Sequence, residues 1–223
     1  MNYEFAGPIS IAFFALVWII LFLHKKGLRK EMIFMSIIIA PFGPIAELLH
    51  TKDYWHPIYS LTVLGIGLED VLFAFLIGGI SAVIYEEIFI KKEIKSGKKH
   101  STEIAILSII GVFMIIYLNL FLKINSIHAS SIVFILVGFI MLFQRPDLLK
   151  NAVISGILVA MLMIVFYTIY ISIFPNIIKD VWILDNLSNV LIFGAPIEEF
   201  TWAFSWGFCA GPIYEFYKGI KEK

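Results

Sequence analysis

Charged residues are scarce in this chain of 223 residues: only 15% are Asp, Glu, Lys or Arg, whereas 60% are hydrophobic. A soluble domain has about 25% charged and 45–50% apolar residues. So little polar surface cannot cover a water-soluble globule, and the composition therefore predicts an integral membrane protein. The 17 basic and 17 acidic residues balance, so no net charge attracts nucleic acid, and we predict no nucleic-acid partner.

Residues for metal and cofactor chemistry are also scarce. The single cysteine, Cys209, excludes an intrachain disulfide, a CxxC redox pair and a cysteine-only zinc site. No HExxH motif occurs, and no GxGxxG motif follows a strand. The cluster of His50, Asp53 and His56 belongs to one short interfacial loop. We therefore predict no cofactor-binding residues and no metal ligands.

Seven apolar stretches are long enough to cross a bilayer as helices, which takes about 20 residues each. The third and the seventh are long enough to include interfacial turns. The stretches are approximately 7–23, 31–49, 57–86, 103–122, 128–143, 150–173 and 186–217. The predicted fold class is thus an all-α integral membrane protein with seven transmembrane helices.

Basic residues gather in alternate loops of this seven-helix arrangement. One set of loops holds 14 Lys and Arg residues, and the opposite set holds only Lys52, Lys123 and Lys179. Cytoplasmic loops are enriched in basic residues. We therefore predict a multi-pass protein of the cell membrane with its N-terminus outside and its C-terminus in the cytoplasm.

The chain resembles itself at an offset of 129 residues. Residues 65–70 align with residues 194–199, and the matches continue through Phe75 with Phe204, Tyr85 with Tyr214, and Glu86 with Glu215. Each match lies just before or within the third helix of a three-helix unit. We predict one membrane domain, 1–223, with two parallel three-helix repeats, about 1–90 and 128–217, joined by a connecting helix at about 103–122.

Two pairs of adjacent acids lie at equivalent points of this repeat, Glu69-Asp70 and Glu198-Glu199. Each pair begins about a dozen residues into its predicted span, near the middle of the membrane. A charged carboxylate there costs about 2.5–3.5 kcal/mol, and burial beside another negative charge favours the neutral acid. We predict all four as catalytic residues, with at least one proton donor in each pair. Hydrogen bonding between helices is the alternative interpretation.

Aromatic residues surround the acids. Phe73 and Trp202 each lie four residues after the first acid of a pair, on the same helix face, while Phe193 precedes the second pair and Trp206 follows it. An aromatic ring face attracts a cation through its quadrupole. We predict these four residues as substrate-binding residues that stabilise a carbocation. Packing against lipid is the alternative.

Other features allow two interpretations each. Gly43-Pro44 and Gly211-Pro212 predict kinks in helices 2 and 7. Glu47, near the outer end of helix 2, is either interfacial or functional. The Asp-x-Trp elements at 53–55 and 180–182 lie in outer loops, where their tryptophans fit an aromatic belt and their aspartates can hold the loops.

The segment Gly194-Ala195-Pro196-Ile197-Glu198-Glu199-Phe200, with its partner in the first unit, resembles the lycopene cyclase domain family. The resemblance is to a fused, archaeal-type lycopene β-cyclase with two units, and it covers nearly the whole chain. Gly67-Leu68-Glu69-Asp70 departs from the family pattern. Leu68 stands where proline is usual, and Asp70 where glutamate is commoner.

This resemblance implies an isomerase, an intramolecular lyase, that acts in carotenoid biosynthesis without a cofactor. An acid protonates the terminal alkene of a polyene, the neighbouring double bond closes a six-membered ring on the cation, and a base removes a proton. The implied partners are a lipophilic polyene or isoprenoid substrate, the lipid bilayer and other carotenoid-pathway membrane enzymes. One site shared by the two units is favoured over two independent sites.

Two other classes of protein are compatible with the same residues. A proton-coupled transporter or lipid carrier could relay protons through the intramembrane acids. Such a transporter needs polar residues along a route from the acids to both surfaces, and this sequence has few. A structural or assembly partner of other membrane proteins is the third possibility.

Overall fold

The computed structural model describes residues 3–63, 66–89, 93–96 and 98–222. The protein is 78% helical, which confirms an all-α fold. Gly65 of the repeated motif and Lys91, Lys92 and Lys223 of the basic loops lie outside the described residues.

Ten α-helices follow one another in the described part of the chain. They are α1 (Ala6–His24), α2 (Arg29–Ile39), α3 (Phe42–Asp53), α4 (Leu68–Phe89), α5 (Ser101–Leu120), α6 (Ser126–Gln144), α7 (Leu149–Ile173), α8 (Ile177–Val181), α9 (Ile197–Ala210) and α10 (Ile213–Lys218). Short 3-10 turns lie at Lys26–Leu28, Pro146–Leu148 and Leu184–Asn186.

Five helical segments in the described ranges are long and apolar enough to cross a membrane: α1, α4, α5, α6 and Pro146–Ile173. The pair α2 and α3, bent by 47°, provides a sixth if it counts as one span. The chain is therefore a membrane protein. The seventh predicted helix is not a long apolar helix here, because α9 ends after 14 residues at the Gly211-Pro212 break.

The bend between α2 and α3 lies three residues before the Gly43-Pro44 position predicted from the sequence. The two helices are separated by Ala40-Pro41, and Pro44 is accommodated in the first turn of α3. A proline there lacks only an N–H group that has no partner within the helix.

The third and seventh predicted helices begin later than the sequence indicated, at Leu68 and Ile197 instead of 57 and 186. Short antiparallel hairpins precede them. The hairpins pair β1 (Thr62–Val63) with β2 (Ile66–Gly67), and β4 (Leu191–Ile192) with β5 (Ala195–Pro196). Consequently, both acidic pairs lie in the first turn of a helix and not a dozen residues inside one.

The second hairpin has a clear local cause. Its turn residues Phe193 and Gly194 have φ values of 51° and 85°, which a right-handed helix does not allow. Two successive residues with positive φ are typical of the tight turns that join antiparallel strands. One further strand pair joins β3 (Glu93–Ser96) to β6 (Ile220–Glu222).

Element bounds in the two halves of the chain correspond at constant offsets. Helices α1 and α6 both have 19 residues and begin 120 positions apart. The segment 29–53, which contains α2 and α3, has 25 residues, as α7 does, and α7 begins 120 positions after it. The two hairpins lie 129 positions apart. At this second offset, the segment 197–218, which contains α9 and α10, corresponds to α4.

Helices α4 and α9 lie at the centre of the molecule. Helix α4 contacts α1, α2, α3, α7 and α9, and α9 also contacts α6 and α7. The approach of α3 to α4 depends on Gly43, because a Cβ atom there would lie 2.2 Å from the backbone oxygen of Asp70. Only glycine allows this crossing, which brings α3 against the acid-bearing turn of α4.

Two aspartates anchor the starts of α1 and α6, which are the first helices of the two halves of the chain. Asp53, at the end of α3, accepts hydrogen bonds from Ser126 Oγ at 2.6 Å and from Asn119 Nδ2 at 2.5 Å, and so anchors the start of α6. Asp180 accepts a 2.5 Å hydrogen bond from the hydroxyl of Tyr3, just before α1. Each aspartate thus ties its own half of the chain to the other half.

Candidate active site

A cavity of about 240 Å³ lies among α1, α3, α4, α7 and α9. Most of its lining is apolar or aromatic, and both halves of the chain contribute to it. Its acidic lining residues are Glu47, Glu69, Asp70 and Glu199. Four carboxyl groups in a largely apolar cavity set this region apart from ordinary helix packing, because buried carboxylates are costly unless they are paired or hydrogen-bonded.

Glu199 is the most enclosed acid of the cavity, with 6% of its surface exposed. Its Oε1 atom accepts hydrogen bonds from the hydroxyl of Tyr54 and, at 2.8 Å, from Trp182 Nε1. The hydroxyl of Tyr167 also lies near this side chain. Two neutral donors therefore stabilise negative charge on Glu199, as hydrogen bonds to a charged acceptor are the stronger kind.

The donors to Glu199 come from both halves of the chain. Tyr54 ends α3, whereas Trp182 follows α8, and Trp182 Nε1 lies 3.1 Å from the Tyr54 hydroxyl. Trp182 also contacts Trp55, with ring centroids 5.2 Å apart. The sequence suggested that Trp182 is part of an interfacial aromatic belt. Trp182 is only 6% exposed, and it therefore belongs to the site instead. The repeated Asp-x-Trp element was the signal that pointed to it.

The other half of the cavity contains a second polar group, around Asp70. The hydroxyl of Tyr59 lies near Asp70. Glu47, on α3, accepts a 2.7 Å hydrogen bond from Trp55 Nε1, and its side chain is 13% exposed. Tyr59 and Glu47 were not among the predicted site residues. The crossing of α3 over α4 brings Glu47 here, and the loop that follows α3 brings Tyr59.

The first acids of the two pairs have matching contacts. Glu69 Oε1 accepts the backbone N–H of Ser60, and Glu198 Oε1 accepts that of Ser188, both at 2.8 Å. Each bond ties the loop before the helix to its first turn. Glu69 also lines the cavity, whereas Glu198, predicted as catalytic, is not among the described residues that line it. Adjacent helical positions point about 100° apart, and in the second pair this directs Glu199 to the cavity and Glu198 to the loop before its helix.

The aromatic residues form a continuous group on the cavity wall. Phe73 and Trp202 face each other from opposite halves, with ring centroids 6.2 Å apart. Trp202 stacks on Trp206 at 6.3 Å with nearly parallel planes. Phe14 and Phe134 contact Phe73 and Trp202, respectively, edge-on. Three of the four predicted aromatic residues therefore come together at the cavity.

Phe193 is the predicted substrate-binding residue that the structure leaves apart. It lies at the turn of the second hairpin, and 66% of its surface is exposed. It is not among the described residues that line the cavity. Its separation follows from the hairpin, which replaces the helix that the sequence predicted at this point.

The site can transfer a proton in apolar surroundings and hold a cation against aromatic faces. Within the described part of the chain, no three His, Cys, Asp or Glu side chains lie close enough together to bind a metal ion. The polar groups that the chain contributes to the cavity include the carboxyl groups of Glu47, Glu69, Asp70 and Glu199 and the hydroxyl groups of Tyr54 and Tyr59.

Comparison with known proteins identifies the family. The family model described as lycopene cyclase matches residues 8–88 and 125–217, which together make up most of the chain. Comparison with curated protein sequences and with solved structures gives no match. The two matched segments contain the two acidic pairs and the helices that enclose the cavity. This chain belongs to the lycopene cyclase family.

Proposed function

We propose that this protein is an isomerase of the lycopene β-cyclase type, which closes a ring at the end of an acyclic polyene. The observation that carries the proposal is one apolar cavity in which acids and aromatic rings from both halves of the chain converge. A hydrocarbon substrate offers no polar group to bind. Apolar walls, a proton donor and a cation-stabilising face are what its cyclisation requires.

The proposed membrane arrangement has seven crossings in two parallel three-helix repeats, with α5 as the connecting helix. The equal lengths of α4 and of the segment 197–218 support α9 and α10 together as the seventh crossing. The basic loops favour an N-terminus outside the cell and a cytoplasmic C-terminus. The cavity then lies at the outer ends of the crossings.

In the proposed reaction, Asp70 protonates the terminal double bond of the polyene. A tertiary carbocation forms next to the faces of Phe73 and Trp202. The neighbouring double bond attacks this cation and closes the six-membered ring. Glu199, with its two hydrogen-bond donors, then accepts the proton that leaves the ring. One proton is added and one is lost, so the reaction is redox-neutral and needs no cofactor.

The partners follow from the substrate. An acyclic carotenoid resides in the bilayer, so we propose that it enters from lipid and that other membrane enzymes of the carotenoid pathway exchange it with this protein. The ring formed is of the β type if Glu199 removes the proton that leaves a double bond within the newly closed ring, next to the polyene.

The direct test is expression in a bacterium that accumulates lycopene, followed by pigment chromatography. Membranes with the protein should convert lycopene to β-ring products. When the same membranes react in deuterated water, each ring closed should carry one deuterium, detected by mass spectrometry, because the added proton comes from an exchangeable acid.

Two results would contradict this proposal. Unchanged lycopene in membranes that contain the folded protein would exclude lycopene as the substrate. Cyclised product without deuterium would exclude initiation by an exchangeable proton. Membranes from cells without the protein are the control for spontaneous cyclisation.

The orientation leads to a second prediction. A reporter enzyme that is active only outside the cytoplasmic membrane should be inactive when fused after Lys223 and active when fused after a segment ending near Lys179. The physical reason is the excess of basic residues in the loops that lie on the same side of the membrane as the C-terminus. The reverse pattern of activity would overturn the proposed orientation.

The role of Trp202 leads to a third prediction, which separates cation stabilisation from packing. Trp202→Phe keeps an aromatic face, whereas Trp202→Leu keeps bulk and loses the face. A cation–π contact in a desolvated site contributes about 2 kcal/mol, or about 30-fold in rate. We expect the Leu variant to lose about that factor and the Phe variant to retain much of its turnover. Equal rates at equal expression would assign Trp202 to packing.

A further inference from the structure

Glu47 is the acid of the cavity that neither the repeated motif nor the proposed reaction uses. It lies on α3, four residues after Gly43, where α3 crosses α4, and its carboxyl group lines the same cavity as Asp70 on α4. Its Oε1 atom is held by Trp55 Nε1 at 2.7 Å. The side chain is therefore ordered, enclosed and directed to the site.

The two halves of the chain give Glu47 a counterpart. Glu47 is at the same position of the segment 29–53 as Tyr167 is in α7, 120 residues later. Asp70 and Glu199 are likewise at the same position of α4 and α9. In the second half, the hydroxyl of Tyr167 lies near Glu199. In the first half, a carboxyl group replaces this hydroxyl and faces a second carboxyl group.

Among the described residues, the titratable groups that face Glu47 are His50 on its own helix, with Nδ1 3.9 Å from Glu47 Oε2, Asp70 on α4, and Tyr59 on the loop between α3 and α4. No Lys or Arg side chain is among the described residues that line the cavity. Two neighbouring carboxylates in an apolar cavity cannot both remain ionised without a large cost in free energy. A pair of this kind retains one proton.

We propose, on the basis of the proposed cyclisation, that Glu47 is a catalytic acid that shares one proton with Asp70 and delivers it to the polyene. The proton leaves the Glu47–Asp70 pair and forms a C–H bond at the terminal alkene. After ring closure, Glu199 takes up the proton lost from the ring. A proton must then return to the pair before the next turnover, so protons balance over the cycle.

The two halves of the chain then have different roles in proton transfer. The first half, where two carboxyl groups meet, holds the proton to be delivered. The second half, where neutral hydroxyl and indole groups surround Glu199, accepts a proton. The exchange of Glu47 for Tyr167 between equivalent positions is the difference in sequence that makes one half an acid and the other a base.

The first test measures the proton on the wild-type protein and requires no substrate. Dicyclohexylcarbodiimide reacts with protonated carboxyl groups in apolar surroundings. Purified protein in detergent is treated with this reagent, digested and analysed by mass spectrometry. We expect an adduct on Glu47. Absence of an adduct on Glu47 in the folded protein overturns the proposal, whatever the substrate of the protein proves to be.

The second test compares Glu47→Gln with Glu47→Asp in the conversion of lycopene. Glutamine keeps the size and can still accept the Trp55 N–H bond, but it carries no acid proton, whereas aspartate keeps the carboxyl group. We expect the Gln variant to lose about 10²–10⁴-fold in rate, the usual contribution of a general acid, and the Asp variant to exceed it at least about tenfold. Glu103→Gln on α5, outside the cavity, is the matched control and should keep its rate.

The results separate this proposal from the proposed function. An inactive wild-type protein contradicts lycopene cyclisation but leaves the carbodiimide result to decide on Glu47. An active wild-type protein with a Gln variant of similar rate overturns the catalytic role. Equal losses in the Gln and Asp variants also overturn it, since they indicate a structural role. Thermal unfolding of both variants, followed by circular dichroism, identifies such a structural loss.

Discussion

The substitution Glu199→Gln is expected to lower the rate of cyclisation by about 10²–10⁴-fold, the usual contribution of a general base. Glutamine preserves the size of the side chain and can still accept the bond from Trp182, but it cannot take up the proton that leaves the ring. The measurement is the initial rate of ring formation in membranes with equal amounts of each protein.

The neighbouring acid provides the matched control. Glu198 is also buried and lies on the same turn of α9, yet its carboxylate bonds to the Ser188 N–H. Glu198→Gln can keep that bond through its amide oxygen. We expect it to remain within about threefold of the wild type, as a substitution that keeps its contacts has a small effect. Equal losses in both variants would refute the assignment of Glu199 as the base.

The substitution Asp70→Asn is expected to have an effect of the same size, about 10²–10⁴-fold. Asparagine keeps the shape and the contact with Tyr59 but cannot deliver a proton to an alkene. Because protonation starts the reaction, deuterium incorporation from deuterated water should fall in parallel with product. Both quantities are measured in one chromatographic and mass-spectrometric experiment.

The control for Asp70 is Asp185→Asn, the same chemical change at an exposed position in the loop before the second hairpin. It should leave the rate unchanged. If the Asn variant at position 70 cyclised lycopene at the wild-type rate, proton delivery would have to come from another acid of the cavity.

The membrane class and helical fold could be predicted from sequence because they depend on composition and on local patterns. Few charges and long apolar stretches leave no stable soluble alternative, since every backbone polar group in lipid must be bonded within a helix or barrel. The family was also predictable, because its signal is a contiguous motif, Gly194–Phe200, and the family match agrees with it.

Helix starts were less predictable than helix existence. The apolar stretches before Leu68 and Ile197 have the composition of membrane helices, and hydropathy does not distinguish a helix from a short apolar hairpin. At the second hairpin, the positive φ values of Phe193 and Gly194 exclude the helix. Gly194, a residue type that readily adopts positive φ, was visible in the sequence, whereas the conformation of Phe193 was not.

The sequence by itself determined which residue types carry the chemistry: paired acids followed by aromatic residues at helical spacing, twice. Only the tertiary structure decided which of them meet. Adjacent positions on a helix point in different directions, so Glu199 faces the cavity whereas Glu198 faces the loop before its helix. The entry of Glu47, Tyr54 and Trp182 into the site depends on contacts between distant segments, such as the crossing at Gly43. The spacing of residues along the chain does not predict these contacts, because they arise from the packing of side chains between helices.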